Sequence, residues 1–268
     1  VTGGTPVRLN EEIVAGGEID EDNLEVSPDG QHIIYRANQD LDDGWELYSV
    51  PMAGGTPIEL NGELDGLVGV YGAFAVSPDS TRVIYLADQA TSFVQELYSV
   101  PIAGGTPVKL NGALIADGEV DDAFIISPDS QYVLYRADQE TDGVMELYSV
   151  PIAGGTSVKL NGPLVSGGDV HKYDLEISPD SRRVVYRADQ DTNDSVPIDG
   201  GTPLKLNAPL VPAGDVTVFR ITPDSSRVVY MADRVEEDVH EVFSVPITGG
   251  SPVRLNGEIE SNSGDVKF

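Results

Sequence analysis

The chain has 268 residues, 40% of them apolar and 23% charged, with 45 acids against 16 bases and a formal charge of −29. That balance argues against nucleic acid and membrane insertion, because phosphate recognition needs clustered Lys and Arg and no run of about eighteen apolar residues offers a spanning helix. Zero cysteines exclude disulfides and thiolate metal sites.

Read from the N-terminus, the chain says one thing five times. A Ser/Thr-Pro-Asp mark falls at Ser27, Ser77, Ser127, Ser178 and Thr222, in steps of 50, 50, 51 and 44 residues. A fixed period of that length signals a repeated supersecondary unit. The third unit shows its parts most clearly, with apolar segments predicted as strands over 123–127, 132–137, 146–150 and 158–160. Between them lie a Ser127-Pro128-Asp129-Ser130 turn, a polar connection over 138–144 and a Gly154-Gly155 turn. No segment has the length or period of a helix.

Four-stranded units in series hide their edges by closing into a propeller. The sequence therefore predicts an all-β single domain over 1–268, a β-propeller of five blades with four antiparallel strands each. The alternatives are a six-bladed ring or a fragment of a longer array. Six segments open with Gly-Gly and read as outer strands, against five copies of the inner three, so either residues 7–9 or residues 253–255 complete the last blade and the other copy is surplus. The tail at Gly264-Asp265-Val266 resembles the approach to another inner strand. The fourth unit is short by part of its third strand, which predicts a thinner blade.

Ser-Pro-Asp-Gly/Ser, then Val-Ile-Tyr, Glu-Leu-Tyr-Ser-Val and a Gly-Gly turn resemble the Pro-Asp class of WD-like repeat in the TolB-like propeller family. The resemblance spans nearly the whole chain and implies the fold. It is compatible with a periplasmic, secreted or cell-surface protein, and it does not choose between binding proteins and enzymes.

Comparing the copies separates two faces. The Ser-Pro-Asp and Gly-Gly turns hardly vary, whereas the connections on the opposite, top face vary freely and are acidic. Candidate binding residues there are Glu18, Asp20, Asp22 and Trp45 in the first unit, Asp65 in the second, Asp117, Glu119 and Asp121 in the third, and Asp169 and His171 in the fourth. Alternating oxygen side chains at Asp40 and Asp42, at Asp138, Glu140 and Asp142, and at Asp189 and Asp191 are candidates for calcium, which takes six to eight oxygen ligands. His32, His171 and His240 lack metal-ligand spacing. On the inner strands, Leu24, Val26 and their counterparts should pack between blades, while Glu25, Glu176 and Arg220 face a central channel, where an ion pair of Arg220 with a glutamate is the economical expectation. Arg36, Arg136 and Arg187 should pair with Glu46 or Glu146 across a hairpin. Asn193-Asp194-Ser195 matches a glycosylation acceptor.

These residues predict a non-enzymatic scaffold, monomeric, that recognises a protein or an extracellular polymer through its acidic top loops with calcium as a candidate aid. The rivals are a glycosidase or lactonase using the channel carboxylates and a structural unit of an oligomeric surface array.

Overall fold

A computed structural model describes residues 6–39, 44–64, 69–189, 192–211, 214–234 and 239–257, and builds from them twenty strands and, among the described residues, no helix. The first blade is β1 (Glu18–Val26), β2 (His32–Asn38), β3 (Glu46–Pro51) and β4 (Ile58–Glu59). The second is β5 (Val70–Val76), β6 (Arg82–Ala87), β7 (Glu96–Pro101) and β8 (Val108–Lys109). The third is β9 (Val120–Ile126), β10 (Tyr132–Ala137), β11 (Glu146–Pro151) and β12 (Val158–Lys159). The fourth is β13 (Val170–Ile177), β14 (Arg183–Ala188), β15 (Thr192–Pro197) and β16 (Leu204–Lys205). The fifth is β17 (Val216–Ile221), β18 (Arg227–Asp233), β19 (His240–Pro246) and β20 (Val253–Arg254). Each blade is one four-stranded sheet with its strands in chain order. This is the building plan of a five-bladed β-propeller.

The period-2 pattern explains the blades. Tyr35 lies opposite Tyr48, Tyr85 opposite Tyr98 and Tyr230 opposite Phe243, and each pair stacks with ring centroids 5.4, 5.6 and 5.4 Å apart. Such cross-strand aromatic pairs contribute about 0.5–1.5 kcal/mol beyond their buried area. The hydroxyls of the first two pairs are satisfied locally, as when Tyr85 donates to Gln89 at 3.1 Å and Tyr98 to Glu96 at 2.9 Å.

The chain forms two compact units, Val1–Val133 with Val150–Ser157 and Leu134–Ser149 with Val158–Phe268. In the first, Ile34 and Leu47 of the first blade pack on Val76, Val83, Tyr85 and Tyr98 of the second. In the second, Val185 and Leu206 of the fourth blade pack on Phe219, Ile221, Tyr230 and Phe243 of the fifth. In each unit one flank of a blade thus fits the opposite flank of its successor.

The invariant turns join successive blades. Ser80, Ser130 and Ser225 adopt φ of 61, 60 and 59°, a left-handed conformation that costs a non-glycine residue roughly 1–2 kcal/mol. Their hydroxyls accept the backbone N–H of the preceding blade's turn aspartate, from Asp29 to Ser80, Asp79 to Ser130 and Asp180 to Ser225, each at 3.0 Å. The first turn has glycine at this position, Gly30 with φ 70°.

Several expectations are corrected. The fourth blade is not thin: β15 pairs with β14 over six residues and with β16 in the register seen elsewhere, because Thr192-Asn193-Asp194 takes the place of Glu-Leu-Tyr and the deletion falls in the preceding connection. Asn193 is fully buried there, which rules it out as a glycan acceptor in the folded state, and among the described residues its amide has no hydrogen-bond partner. In the first blade Leu24 and Val26 are 59% and 46% exposed, whereas Val76 in the same position of the second blade is 6% exposed. The last outer strand, β20, completes the fifth blade, so residues 7–9 are the surplus copy. The tail at 264–268 lies outside the described residues.

Candidate functional site

Inner strands start in register with their neighbours, lose it and recover it. Four residues, 20–23, intervene between the paired positions Ile19 and Leu24 in the first blade, and four, 171–174, between Val170 and Leu175 in the fourth. The second blade has three such residues, between Val70 and Phe74, and the fifth has one, between Val216 and Val218. Bulges re-aim side chains and commonly flank functional sites. The four-residue irregularities of the first and fourth blades each border a pocket.

The first-blade pocket, about 370 Å³, is lined by Glu18, Ile19, Asp20, Glu21 and Trp45. Asp20 is its anchor. It accepts from Arg36 Nη1 at 2.6 Å, from Asn23 Nδ2 at 2.7 Å and from the Asp22 N–H at 3.1 Å. Burial pushes its carboxyl up, but the bonds from Asn23 and Arg36 outweigh it and hold Asp20 below the ordinary carboxylate range. Arg36 also donates Nε to Val70 O at 2.7 Å and lies over the Trp45 ring, 4.2 Å from its centroid. The Trp45 backbone is fixed in turn, its carbonyl accepting Val70 N at 2.6 Å. A Cβ at Gly69 would stand 2.9 Å from Trp45 N, so the close approach requires glycine there. Glu18, Glu21 and Asp22 remain exposed around this fixed core.

The fourth-blade pocket, about 230 Å³, is lined by Tyr173, Asp174, Leu175, Glu176, Phe219 and Arg220. Arg187 is its organiser, bonded to Asp174 at 2.5 Å and to the Val216 carbonyl. His171 Nε2 reaches Asp189 at 2.8 Å, and Asp169 accepts the Met145 N–H at 2.7 Å. Tyr173 is 86% exposed at the rim. The structure thus brings Asp169, His171 and Asp189 together, but as a polar network already engaged with itself.

The remaining sequence candidates are dispersed. Asp117 and Glu119 are exposed, and Asp121 accepts the Ala123 N–H at 3.2 Å within β9. Asp138 is buried and accepts the Gly143 N–H at 3.2 Å, Glu140 pairs with Lys159 at 3.0 Å, and Asp142 is exposed. Asp40, Asp42, Asp65 and Asp191 lie outside the described residues.

Two electrostatic expectations fail. Arg36 and Arg187 pair with the inner-strand acids Asp20 and Asp174 rather than with third-strand glutamates: Glu46 accepts the Tyr48 hydroxyl, and the fourth blade carries Thr192 where the others have glutamate. Glu25 and Glu176 do not wait for a guanidinium. Glu25 accepts the Val76 N–H at 3.1 Å and Glu176 the Ile221 N–H at 3.1 Å, each holding the end of the next blade's inner strand beside its Ser/Thr-Pro-Asp turn. Burial pushes both carboxyls above their ordinary value, offset in part by those N–H bonds and, for Glu176, by the Arg220 charge.

One cluster escaped sequence reasoning. Asp215, Asp233 and His240 bring one ligand atom each to within 4.8 Å of one another and could hold a metal ion. His240 Nε2 stands 3.4 Å from Asp233 and 4.0 Å from Asp215. The signal was in the register: Asp233 faces His240 across the hairpin, and Asp233 N donates to the Asp215 carbonyl at 3.1 Å. No local spacing reveals three residues joined only by strand pairing.

No family model and no curated protein matches the sequence. Among solved structures the chain is similar to Porphyromonas gingivalis dipeptidyl peptidase 4, with TM-score 0.64 and 11% identity over 87% of this chain and 38% of that one. It is similar also to a putative dipeptidyl aminopeptidase IV from Bacteroides ovatus, with TM-score 0.57 and 11% identity over 87% and 39%. A putative TolB from Agrobacterium tumefaciens matches at TM-score 0.46 and 20% identity over 87% and 79%. The chain spans about two-fifths of the length of the two peptidases. At these identities the likeness to the two peptidases shows the fold. The protein is a β-propeller of five four-stranded blades.

Proposed function

We propose that this propeller is a binding protein whose first-blade pocket receives a basic side chain, Arg or Lys, from a protein partner. The observation that carries this reading is the bulge at 20–23, which sets the exposed carboxylates of Glu18 and Glu21 beside the indole of Trp45 while Asp20 and Arg36 hold the frame rigid. An aromatic ring flanked by carboxylates attracts a cation both by its quadrupole and by charge. With 45 acids to 16 bases, the whole chain steers cations toward it. A periplasmic, secreted or cell-surface setting belongs to the same proposal. No helix among the described residues is long and apolar enough to cross a membrane. The hydrolytic alternative draws no support from Glu25 and Glu176, since each is engaged by a backbone N–H of the adjacent blade.

Calorimetric titration with an arginine-rich peptide tests the reading. Binding should weaken with salt, and Trp45→Ala should lower affinity by about fivefold to tenfold, the range of a partly desolvated cation–π contact. Unchanged affinity in that variant removes the pocket from the account.

A second reading rests on Asp215, Asp233 and His240. One imidazole and two carboxylates suit a borderline transition metal such as zinc or manganese better than calcium, and a bound ion would make partner capture metal-assisted. Zinc or manganese binding that disappears in His240→Ala supports it, and no heat of binding with either metal refutes it.

A further inference from the structure

Among the described residues, six non-glycine side chains stand on left-handed backbone: Ser80, Phe93, Asp117, Ser130, Ser181 and Ser225, with φ between 59 and 63°. The serines sit at one repeated turn position, where the hydroxyls of Ser80, Ser130 and Ser225 accept a neighbouring blade's N–H. Aspartate is among the residues that tolerate this region. Phe93 has neither reason, and its ring is 77% exposed.

The third blade shows what the turn asks for. Thr91-Ser92-Phe93-Val94 and Thr141-Asp142-Gly143-Val144 are the same turn, with Val94 N donating to Thr91 O and Val144 N to Thr141 O, each at 3.1 Å. Asp88 accepts the Phe93 N–H at 3.0 Å, as Asp138 accepts the Gly143 N–H at 3.2 Å. Gly143 has φ 68°, and a Cβ added there would meet nothing within 4 Å. The backbone of this turn therefore suits glycine, and the space beyond it is open. A benzyl group at 93 strains the turn and stays in water, so the fold gains nothing from it. Strain kept at an exposed aromatic points to a contact made with something else.

Asp88 ties this turn to the first-blade pocket. While one of its carboxylate oxygens holds Phe93 N, the other accepts Gly69 N at 2.7 Å. Gly69 lies against the Trp45 backbone, and Val70 N donates to Trp45 O. The link is buried, Asp88 being 4% exposed. On the other side, Val120 N donates to Gln95 O at 3.0 Å and Gln95 Nε2 to Val120 O at 2.7 Å, which sets the connection carrying the exposed Asp117 and Glu119 beside the turn. All of these residues belong to one compact unit. The bases Arg36 and Lys109 of the first two blades are paired with Asp20 and Glu96.

We propose that Phe93 is a second anchor for the protein partner, covered by an apolar side chain close in sequence to the basic residue that enters the pocket beside Trp45. This rests on the pocket reading and adds to it the class of segment recognised, basic and apolar together rather than basic alone. Charge complementarity selects the occupant. Exposed carboxylates at Glu18, Glu21, Asp117 and Glu119 draw a basic segment and repel an acidic one. Within such a segment, an apolar side chain gains most from removing the ring of Phe93 from water.

The test is calorimetric titration with an arginine-rich peptide carrying one leucine at successive positions, against the same peptide with glycine or arginine there. In at least one position leucine should tighten binding to the parent by about fivefold to tenfold over glycine. Phe93→Gly should erase that preference, leave the glycine peptide's affinity unchanged and raise Tm by about 1–3 °C, because the turn regains the residue its backbone favours. Phe93→Tyr keeps the ring and should keep the preference. The inference is overturned by a parent without leucine preference, by a preference that survives Phe93→Gly, by an equal gain from arginine at that position, or by a lower Tm in Phe93→Gly. Failure of the pocket reads differently: the glycine peptide then binds Trp45→Ala as it binds the parent, whereas the leucine preference is a ratio that does not involve Trp45.

Discussion

The first and fourth blades insert the same number of residues into the same strand, yet residues 20–23 and 171–174 produce different surfaces. In the first, an arginine is consumed by one aspartate and one indole, leaving Glu18 and Glu21 uncommitted to the frame and open to solvent. In the fourth, Arg187, Asp174, His171 and Asp189 bind one another, and an exposed tyrosine stands at the edge. A bulge supplies geometry only. What it can bind depends on which charges remain after the frame has been paired.

That contrast breaks most visibly at the arginines. Arg36→Ala removes the partner of Asp20, strands the Val70 carbonyl and frees the indole. It should cost roughly 2–3 kcal/mol in chemical denaturation, between the values for exposed and buried pairs. Arg187→Ala should cost less, about 1–2 kcal/mol, because Asp174 is more exposed than Asp20, 26% against 13%. Equal losses would mean that the two frames are energetically alike.

Next in size is a gain. Asn193 occupies a position that holds leucine in the first three blades, at Leu47, Leu97 and Leu147, and buries an unpaired amide. Asn193→Leu should stabilise the chain by about 1–3 kcal/mol by removing a desolvated polar group, read as a higher denaturation midpoint at unchanged slope. A lower midpoint would show that the amide has a use.

The smallest effects are pH-dependent and have opposite signs in two sets of carboxylates. Thr222 and Ser226 hold Asp224 down to about 2, and Asp180 is lowered mainly by Ser178, so the stability these turns supply is present above the ordinary value of 3.8 and lost as pH falls through their folded values. Burial raises Glu25 and Glu176, so their contribution is greatest below the ordinary value of 4.5 and is lost as pH rises through the folded values. Glu176→Gln keeps an acceptor for Ile221 N and should add a small gain, under about 1 kcal/mol after solvent screening, at neutral pH but none near pH 3. A gain that persists at acid pH would contradict the assigned cause.

The parts that were legible in the sequence are those governed by neighbours. Residues 132–137 were recognisable as β10 because β-branched and aromatic residues alternate between turn signals, and Ser-Pro-Asp announced its turn through the local chemistry of proline and aspartate. Glu18, Asp20 and Trp45 were found as candidates, since a lone Trp in an acidic loop stands out. Their convergence was not, because it depends on how many residues a bulge absorbs and on Arg36 choosing Asp20 over Glu46. The cluster of Asp215, Asp233 and His240 was hidden for the same reason: it exists through β17–β18 and β18–β19 pairing, not through spacing. Leu24 and Val26 were also misjudged, since alternation alone placed between blades two side chains that are 59% and 46% exposed.

The most direct measurement compares one arginine-rich peptide against the full chain, Glu18→Gln with Glu21→Gln, and Tyr173→Ala in the fourth blade. The first-blade variant should lose at least about tenfold in affinity and most of the salt dependence, with unchanged thermal stability, while the fourth-blade variant binds as the parent does. Equal affinity in the parent and the first-blade variant, or a larger loss at Tyr173, would contradict the assignment of binding to the acidic pocket beside Trp45.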